Sequence, residues 1–109
     1  MQCISINNIT FDQDSLDAIR EIRKKRQLLA TLSVAMPVGT MANIFLGNGV
    51  LKSSYNITQT DFTTLAQAVR GLPAIQRKII RDIAAMQALS HFGKESMFWR
   101  GIADGCNIQ

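Results

Sequence analysis

Few side chains in this chain of 109 residues could support catalysis or bind a metal. Histidine occurs once, as His91, and the two cysteines, Cys3 and Cys106, lie near opposite ends. No acidic residue adjoins His91, and a structural zinc site needs four nitrogen or sulfur ligands at close spacings. Glycine-rich phosphate loops, nucleophile elbows and metalloprotease motifs are missing. We therefore predict that the protein is not an enzyme, with no catalytic residue, metal site or cofactor.

Positive charge is more informative. The formal net charge is +4, which favours an anionic partner such as DNA. Of the 12 cations, 9 lie in two groups, five over Arg20–Arg26 and four over Arg70–Arg81. Arg and Gln side chains suit base edges, whereas Lys suits phosphates. Solvated basic helix faces are the alternative interpretation. The predicted DNA-binding residues are Arg70, Gln76, Arg77, Lys78 and Arg81 in the second group, and Arg23, Lys24, Lys25 and Arg26 in the first.

The first group lies within a predicted long helix over residues 12–36, which follows an N-terminal arm at residues 1–11. Asp12 or Asp14 would cap this helix, and Pro37 would end it. Apolar residues recur along it at the spacing of a short helix-pairing seam. Phe98 and Trp99, near the C-terminus, would either complete a core or contact a second subunit. The predicted partner-binding residues are Ile22, Leu29, Leu32, Met36, Phe98 and Trp99.

The uncharged stretch from Gln27 to Leu51 is long enough to span a membrane. Pro37, Gly39 and several polar residues interrupt it, however, and it lies well inside the chain. The first residues also lack the pattern of a secretion signal. We therefore predict a cytoplasmic protein that does not enter a membrane. Within the stretch we predict a short helix over Thr40–Leu46, with a hairpin around the following Gly-Asn-Gly turn as the competitor.

A helix-turn-helix-like pair is predicted over residues 58–92. Thr58 and Asp61 resemble a capping box, and "RGLP" joins two amphipathic segments. The second helix would turn its basic face outwards and bury an apolar stripe of Ile75, Ile79, Ile83 and Met86, widened by Leu72, Ile80 and Leu89. A helical hairpin without DNA-binding function is the alternative. A C-terminal segment, residues 93–109, completes a single all-α domain, a small bundle of four to five helices.

Three segments resemble the FlhD family of flagellar transcription activator subunits. "LDAIREIRKKRQLLA" is similar to that family's first helix, "MANIFLG" (Met41–Gly47) to its Met-Phe-Arg-Leu-Gly stretch, and "TTLAQAVRGLP" (Thr63–Pro73) to its helix-turn-helix. The resemblance covers about residues 16–92, with an insertion between Gly47 and Thr58. It implies a helical homodimer that acts on promoters with a second regulatory subunit.

Together these features predict a transcription regulator that binds DNA or assists a DNA-binding partner subunit, and that forms a homodimer. The main alternative is a non-enzymatic protein-protein interaction factor, such as a secretion or conjugation accessory or a phage-type inhibitor. Whether Cys3 and Cys106 pair is left open by the sequence.

Overall fold

A computed structural model describes residues 5–47 and 54–104. The prediction of a mainly helical bundle is confirmed: the described residues form six helices and one two-stranded sheet. Cys3, Cys106 and the predicted turn after Gly47 lie outside the described residues, either wholly or in part. The elements in chain order are β1 (Ile6–Ile9), α1 (Gln13–Arg23), α2 (Arg26–Ala35), α3 (Thr40–Leu46), β2 (Tyr55–Ile57), α4 (Gln59–Arg70), α5 (Ala74–Ser90) and α6 (Gly93–Ala103).

The predicted continuous helix over residues 12–36 is wrong, because the chain leaves helical geometry at Lys25, where φ is −85° and ψ is 88°. This break separates α1 from α2 and changes the direction in which the side chains of α2 point relative to those of α1. Ile22 and Leu28 are six residues apart and would lie on different sides of one helix. With the break in place, both are buried in the same core. Packing has therefore overridden a sequence of good helix formers.

The N-terminal arm is partly a strand, since β1 pairs antiparallel with β2. Ile6 lies opposite Ile57 and Ile9 opposite Tyr55, so β1 carries one extra residue between these pairs. Asn8 has a positive φ of 55° at this irregularity, a conformation that asparagine tolerates well. The bulge lets both Ile6 and Ile9 point into the core.

The helix over Thr40–Leu46 and the Thr58–Asp61 capping box are both confirmed. The Thr58 side chain accepts a bond from the Asp61 N–H, and the Asp61 carboxylate accepts one from the Thr58 N–H. Two of the N–H groups left without partners at the start of α4 are thus satisfied.

An aromatic cluster forms the centre of the core. The Phe98 ring lies 4.9 Å from Phe11, 5.1 Å from Trp99, 6.1 Å from Phe62 and 6.2 Å from Phe45, measured between ring centroids. These rings come from α3, α4, α6 and the segment before α1, so α6 joins both halves of the chain. Tilted and edge-to-face ring pairs of this kind stabilise beyond their buried area.

Most of the predicted partner-binding residues are instead part of this core. Ile22, Leu32, Met36, Phe98 and Trp99 are all almost completely buried, and only Leu29 is partly exposed. The physical reason is the break before α2: it brings α2 and α3 back against α1, so the pairing seam is filled from within the chain. The five buried residues therefore present almost no surface to a second subunit, whereas Leu29 is partly accessible.

The predicted buried stripe of α5 is only partly present. Ile80 and Leu72 are buried as predicted, but Ile75, Met86 and Leu89 are largely exposed, and Ala84 and Ala88 face the core instead. Small alanines allow α6 to approach α5 closely, and α6 supplies the bulky Phe98 and Trp99. The turn between α4 and α5 is present, but α5 packs mainly on α6 and α1, whereas α4 packs on α2, α3 and α6. Among the described residues, no helix combines the length and apolar character needed to cross a bilayer.

Candidate functional site

Two of the predicted DNA-binding arginines are engaged in holding the fold. Nε of Arg23 donates a 2.9 Å hydrogen bond to the carbonyl of Ile44, near the end of α3. One terminal nitrogen of Arg77 lies 3.2 Å from the carbonyl of Leu72 and 3.4 Å from that of Arg70, where α4 ends. Carbonyls at a helix C-terminus carry partial negative charge, so both guanidinium groups stabilise helix ends.

The other predicted DNA-binding residues differ in whether they are ion-paired, half-buried or exposed. Lys25 pairs with Glu21 at 3.1 Å and Lys78 with Asp82 at 2.7 Å, both one helical turn apart on the surface. Such exposed pairs contribute little to stability and leave the lysine accessible. Arg81 and Gln76 are half-buried. The side chains of Lys24, Arg26 and Arg70 are exposed and form no hydrogen bond or ion pair within residues 5–47 and 54–104.

Residues from both of the predicted DNA-binding groups lie close together beside α5. A groove lies between the α1–α2 junction and the start of α5, with Ile75 and Ile79 on one side. Gln76 also lines it, next to the cations of the first group. We call this groove the basic end; its cations are Lys24, Lys25 and Arg26.

A second groove continues the contact between α1 and α5 at the opposite end. Ile83 and Met86 of α5 line it on one side, and α1 lines it on the other. We call this the acidic end; its carboxylates are Asp14, Asp17 and Glu21. Early α1 residues lie beside late α5 residues, and the end of α1 lies beside the start of α5, so the two helices run in opposite directions.

An apolar stripe of α5 connects the two ends. Ile75, Ile79, Ile83 and Met86 fall on one face of the helix because they are separated by three or four residues. Ile75 is 78% exposed and Met86 is 70% exposed, with Ile79 and Ile83 half-buried between them. We call this stripe, with the acidic and basic ends, the α1–α5 face. Large exposed apolar surfaces with a charged rim commonly mark interaction sites.

A buried polar network lies beyond the acidic end, where α1 begins. Oγ of Ser15 donates to Oε2 of Glu95 at 2.7 Å and accepts the indole N–H of Trp99 at 3.0 Å. The same Glu95 oxygen accepts the backbone N–H of Asp12 at 2.9 Å, and Oδ1 of Asp12 accepts the backbone N–H of Ser15 at 2.9 Å. The start of α1 is thereby capped from within itself and by α6.

His91 completes this network, and its contacts favour the protonated ring. Its Nδ1 lies 2.7 Å from the carbonyl of Gln87, which can only accept. Its Nε2 lies 2.9 Å from Oδ1 of Asp12, a carboxylate that also only accepts once ionised. These contacts suit a doubly protonated ring, an imidazolium whose charge Asp12 and Glu95 would balance.

The pKa values of both groups agree with this assignment. Burial lowers the pKa of His91, but the hydrogen bonds to Asp12 and Gln87 and the charges of Asp12 and Glu95 outweigh it, so the net pKa lies above the usual 6.5. Burial raises the pKa of Asp12, but the Ser15 N–H and His91 outweigh it, so that value lies below the usual 3.8. Each member of the pair stabilises the charged form of the other.

The network does not have the geometry of a nucleophilic triad. A triad places its acid and its serine on opposite nitrogens of the histidine. Here Asp12 and Ser15 both face Nε2, at 2.9 and 3.3 Å, while Nδ1 is bound to Gln87. Ser15 is also fully buried, so no substrate reaches it.

Asp12, His91 and Glu95 are also the residues that could hold a metal ion, because their ligand atoms lie within 4.8 Å of one another. A metal would require Nε2 to carry no proton, whereas its 2.9 Å contact with the Asp12 carboxylate suits a protonated Nε2. The contacts fit an imidazolium between two carboxylates.

The sequence does not predict this network, apart from the cap of α1: of the two candidates, Asp12 and Asp14, Asp12 is the cap. One signal was present: Glu95 lies four residues after His91. The proximity of Ser15 and Trp99 has no counterpart in the sequence, because 84 positions separate them.

Comparison of the chain with known protein families, with curated proteins and with solved structures found no match. The resemblance to the FlhD family therefore stays a prediction from the sequence.

Proposed function

We propose that this chain is a non-enzymatic protein-protein interaction factor that binds its partner through the α1–α5 face. The observation that carries this proposal is the exposure of the apolar stripe of α5, which ends in Met86 at 70% exposure. Leu89, three residues after Met86 on the same helix, is also exposed, at 83%. Ser15, His91 and Glu95 form the buried network, which supports a structural role for these side chains. The exposed surface is then the part of the protein that would recognise a partner.

The energetics of such a surface favour binding. Full burial of one large apolar side chain contributes about 1.5–3 kcal/mol relative to exposure, so two or three anchors on α5 could support a specific complex. The acidic and basic ends would then fix the orientation of the partner, since charges at the rim of an interface contribute more to specificity and association rate than to affinity.

DNA binding is the second candidate, and one observation favours it. The basic end brings Lys24 and Arg26, whose side chains form no ion pair within the described parts of the chain, next to Gln76 of α5. Cations at this position would contact phosphates and add affinity that does not depend on sequence. Under this second candidate, the protein regulates transcription: its basic end binds DNA weakly, and the α1–α5 face binds a DNA-binding partner subunit.

The first proposal is tested by capturing binding partners from the native host with matched variants. Met86→Glu places a charge on the stripe, and Val34→Glu places the same charge on α2, at a residue of similar exposure, 84%. We expect a specific protein to co-purify with the unmodified chain and with Val34→Glu, but not with Met86→Glu. Equal capture by both variants would contradict the proposal.

The DNA candidate has its own matched pair. Arg26→Glu reverses a charge at the basic end, and Arg100→Glu reverses an exposed charge on α6. If the basic end contacts phosphates, Arg26→Glu weakens duplex binding and reduces the dependence on salt by about one phosphate contact, whereas Arg100→Glu changes neither. Undetectable binding at low salt, with and without the partner, would exclude this candidate.

A further inference from the structure

We infer that a second copy of this chain occupies the α1–α5 face, turned by a two-fold axis so that each acidic end meets the other copy's basic end. This inference rests on the proposed function, because it names an occupant for the same face. It replaces the pairing seam predicted from sequence, whose residues are buried inside one chain except for the partly exposed Leu29.

The order of charges along the face carries the argument. Because α1 and α5 run in opposite directions, the acidic end lies beside Ile83 and Met86 and the basic end lies beside Ile75 and Ile79. A two-fold axis through the middle of the stripe maps one end onto the other. The paired copy therefore presents opposite charge at both ends, while apolar residues meet between them.

Other placements lack this complementarity. Two copies stacked in the same direction would oppose carboxylates to carboxylates and cations to cations, which disfavours association. Half of the six charges are available for pairing: the side chains of Asp14, Lys24 and Arg26 form no ion pair within residues 5–47 and 54–104, whereas Asp17, Glu21 and Lys25 form exposed pairs within α1 or with its end. The chain itself carries both signs in this order, along α1 and its junction with α2, beside the apolar stripe of α5.

The size of the face sets the strength of the pair. Helix α5 has 17 residues and so is about 25 Å long, and α1 lies alongside at the usual helix separation of about 10 Å. A face of about 25 by 20 Å buries roughly 500 Å² on each copy, below the ~800 Å² of a standard stable interface. We therefore expect a reversible dimer that dissociates on dilution. Added salt should weaken it, because opposite charges at its rim attract each other.

Charge-exchanged copies test the arrangement. One variant, Asp14→Lys with Asp17→Lys, makes both ends basic; the other, Lys24→Glu with Arg26→Glu, makes both ends acidic. By sedimentation equilibrium, we expect dimers of the unmodified chain, monomers of each variant alone, and a mixed dimer when the two variants are combined. A monomeric unmodified chain, dimers of either variant alone, or a mixture that stays monomeric would each overturn the two-fold pairing.

Chemical shifts of the unmodified chain on dilution give a second test that needs no substitution. Changes confined to α1 and α5, around Ile79 and Ile83, support the pairing, whereas changes on α2 around Val34 overturn it. The two-fold pairing and the proposed function can be disproved independently. If the chain is monomeric but Met86→Glu still loses a captured host protein, the second copy is the wrong occupant and the face remains a binding surface.

Discussion

The indole N–H of Trp99 donates a 3.0 Å hydrogen bond to Oγ of Ser15, and both side chains are completely buried. This bond ties the first turn of α1 to α6 at the centre of the fold. Because the same hydroxyl also donates to Glu95, it is the point where the aromatic core and the polar network meet.

Removal of this hydroxyl should destabilise the protein. Ser15→Ala leaves the Trp99 N–H and one oxygen of Glu95 with fewer partners in a buried site, so we expect the free energy of unfolding to fall by about 2–3 kcal/mol. Ser33→Ala is the matched control, because Ser33 is exposed and bonds only to a nearby carbonyl; we expect a loss below about 0.5 kcal/mol. Urea denaturation measures both. Equal losses in the two variants would show that the network contributes no stability.

The His91–Asp12 pair makes stability depend on pH. A pKa of His91 raised above 6.5 means that the folded state holds this proton more tightly than the unfolded state. Its contribution is therefore complete below pH 6.5 and is lost as pH rises through the folded-state pKa. The lowered pKa of Asp12 acts oppositely, contributing above pH 3.8 and being lost as pH falls through the folded value. We expect maximum stability between these two limits.

Two measurements check the pH dependence. Since His91 is the sole histidine, its ring resonance can be titrated by NMR without assignment, and we expect a midpoint above 6.5. In urea denaturation from about pH 5 to 9, His91→Gln should flatten the loss of stability on the alkaline side. A midpoint below 6.5 would contradict the imidazolium assignment.

Arg77 and Lys78, neighbours in sequence and both predicted to bind DNA, should behave differently. Arg77→Ala removes a charged donor from the carbonyl groups at the end of α4, and we expect it to lower the free energy of unfolding by about 1 kcal/mol. Lys78→Ala removes only an exposed pair with Asp82, with an expected loss below about 0.5 kcal/mol. Thermal or urea denaturation of the two variants provides the comparison. Equal losses would show that Arg77 does not stabilise the end of α4.

The sequence predicts local features well because local chemistry sets them. The capping box at Thr58, the short helix after Gly39 and the turn at Gly71 all depend on residues a few positions apart. The break at Lys25 is not set by local chemistry. It depends on distant packing, because it places Leu28 in a core that α3 and α6 complete.

The errors on α5 have a similar origin. Large aliphatic residues at helical spacing predict a buried face, but burial depends on what another helix can bring to that face. Here α6 carries Phe98 and Trp99 and fits against Ala84 and Ala88, so the isoleucine stripe is left at the surface. The polar network shows the same limit, since Asp12 and His91 meet only through the packing of α1 on α5 and α6.

Amide hydrogen exchange of the protein bound to its partner, either the captured host protein or a second copy, tests the central claim most directly. We predict slower exchange on binding in α5 around Ile79 and Ile83 and in α1 around Asp17, with no change in α2 around Val34. Protection confined to α2, α3 or α4, with α1 and α5 exchanging as in the free protein, would contradict the assignment of the α1–α5 face as the binding surface.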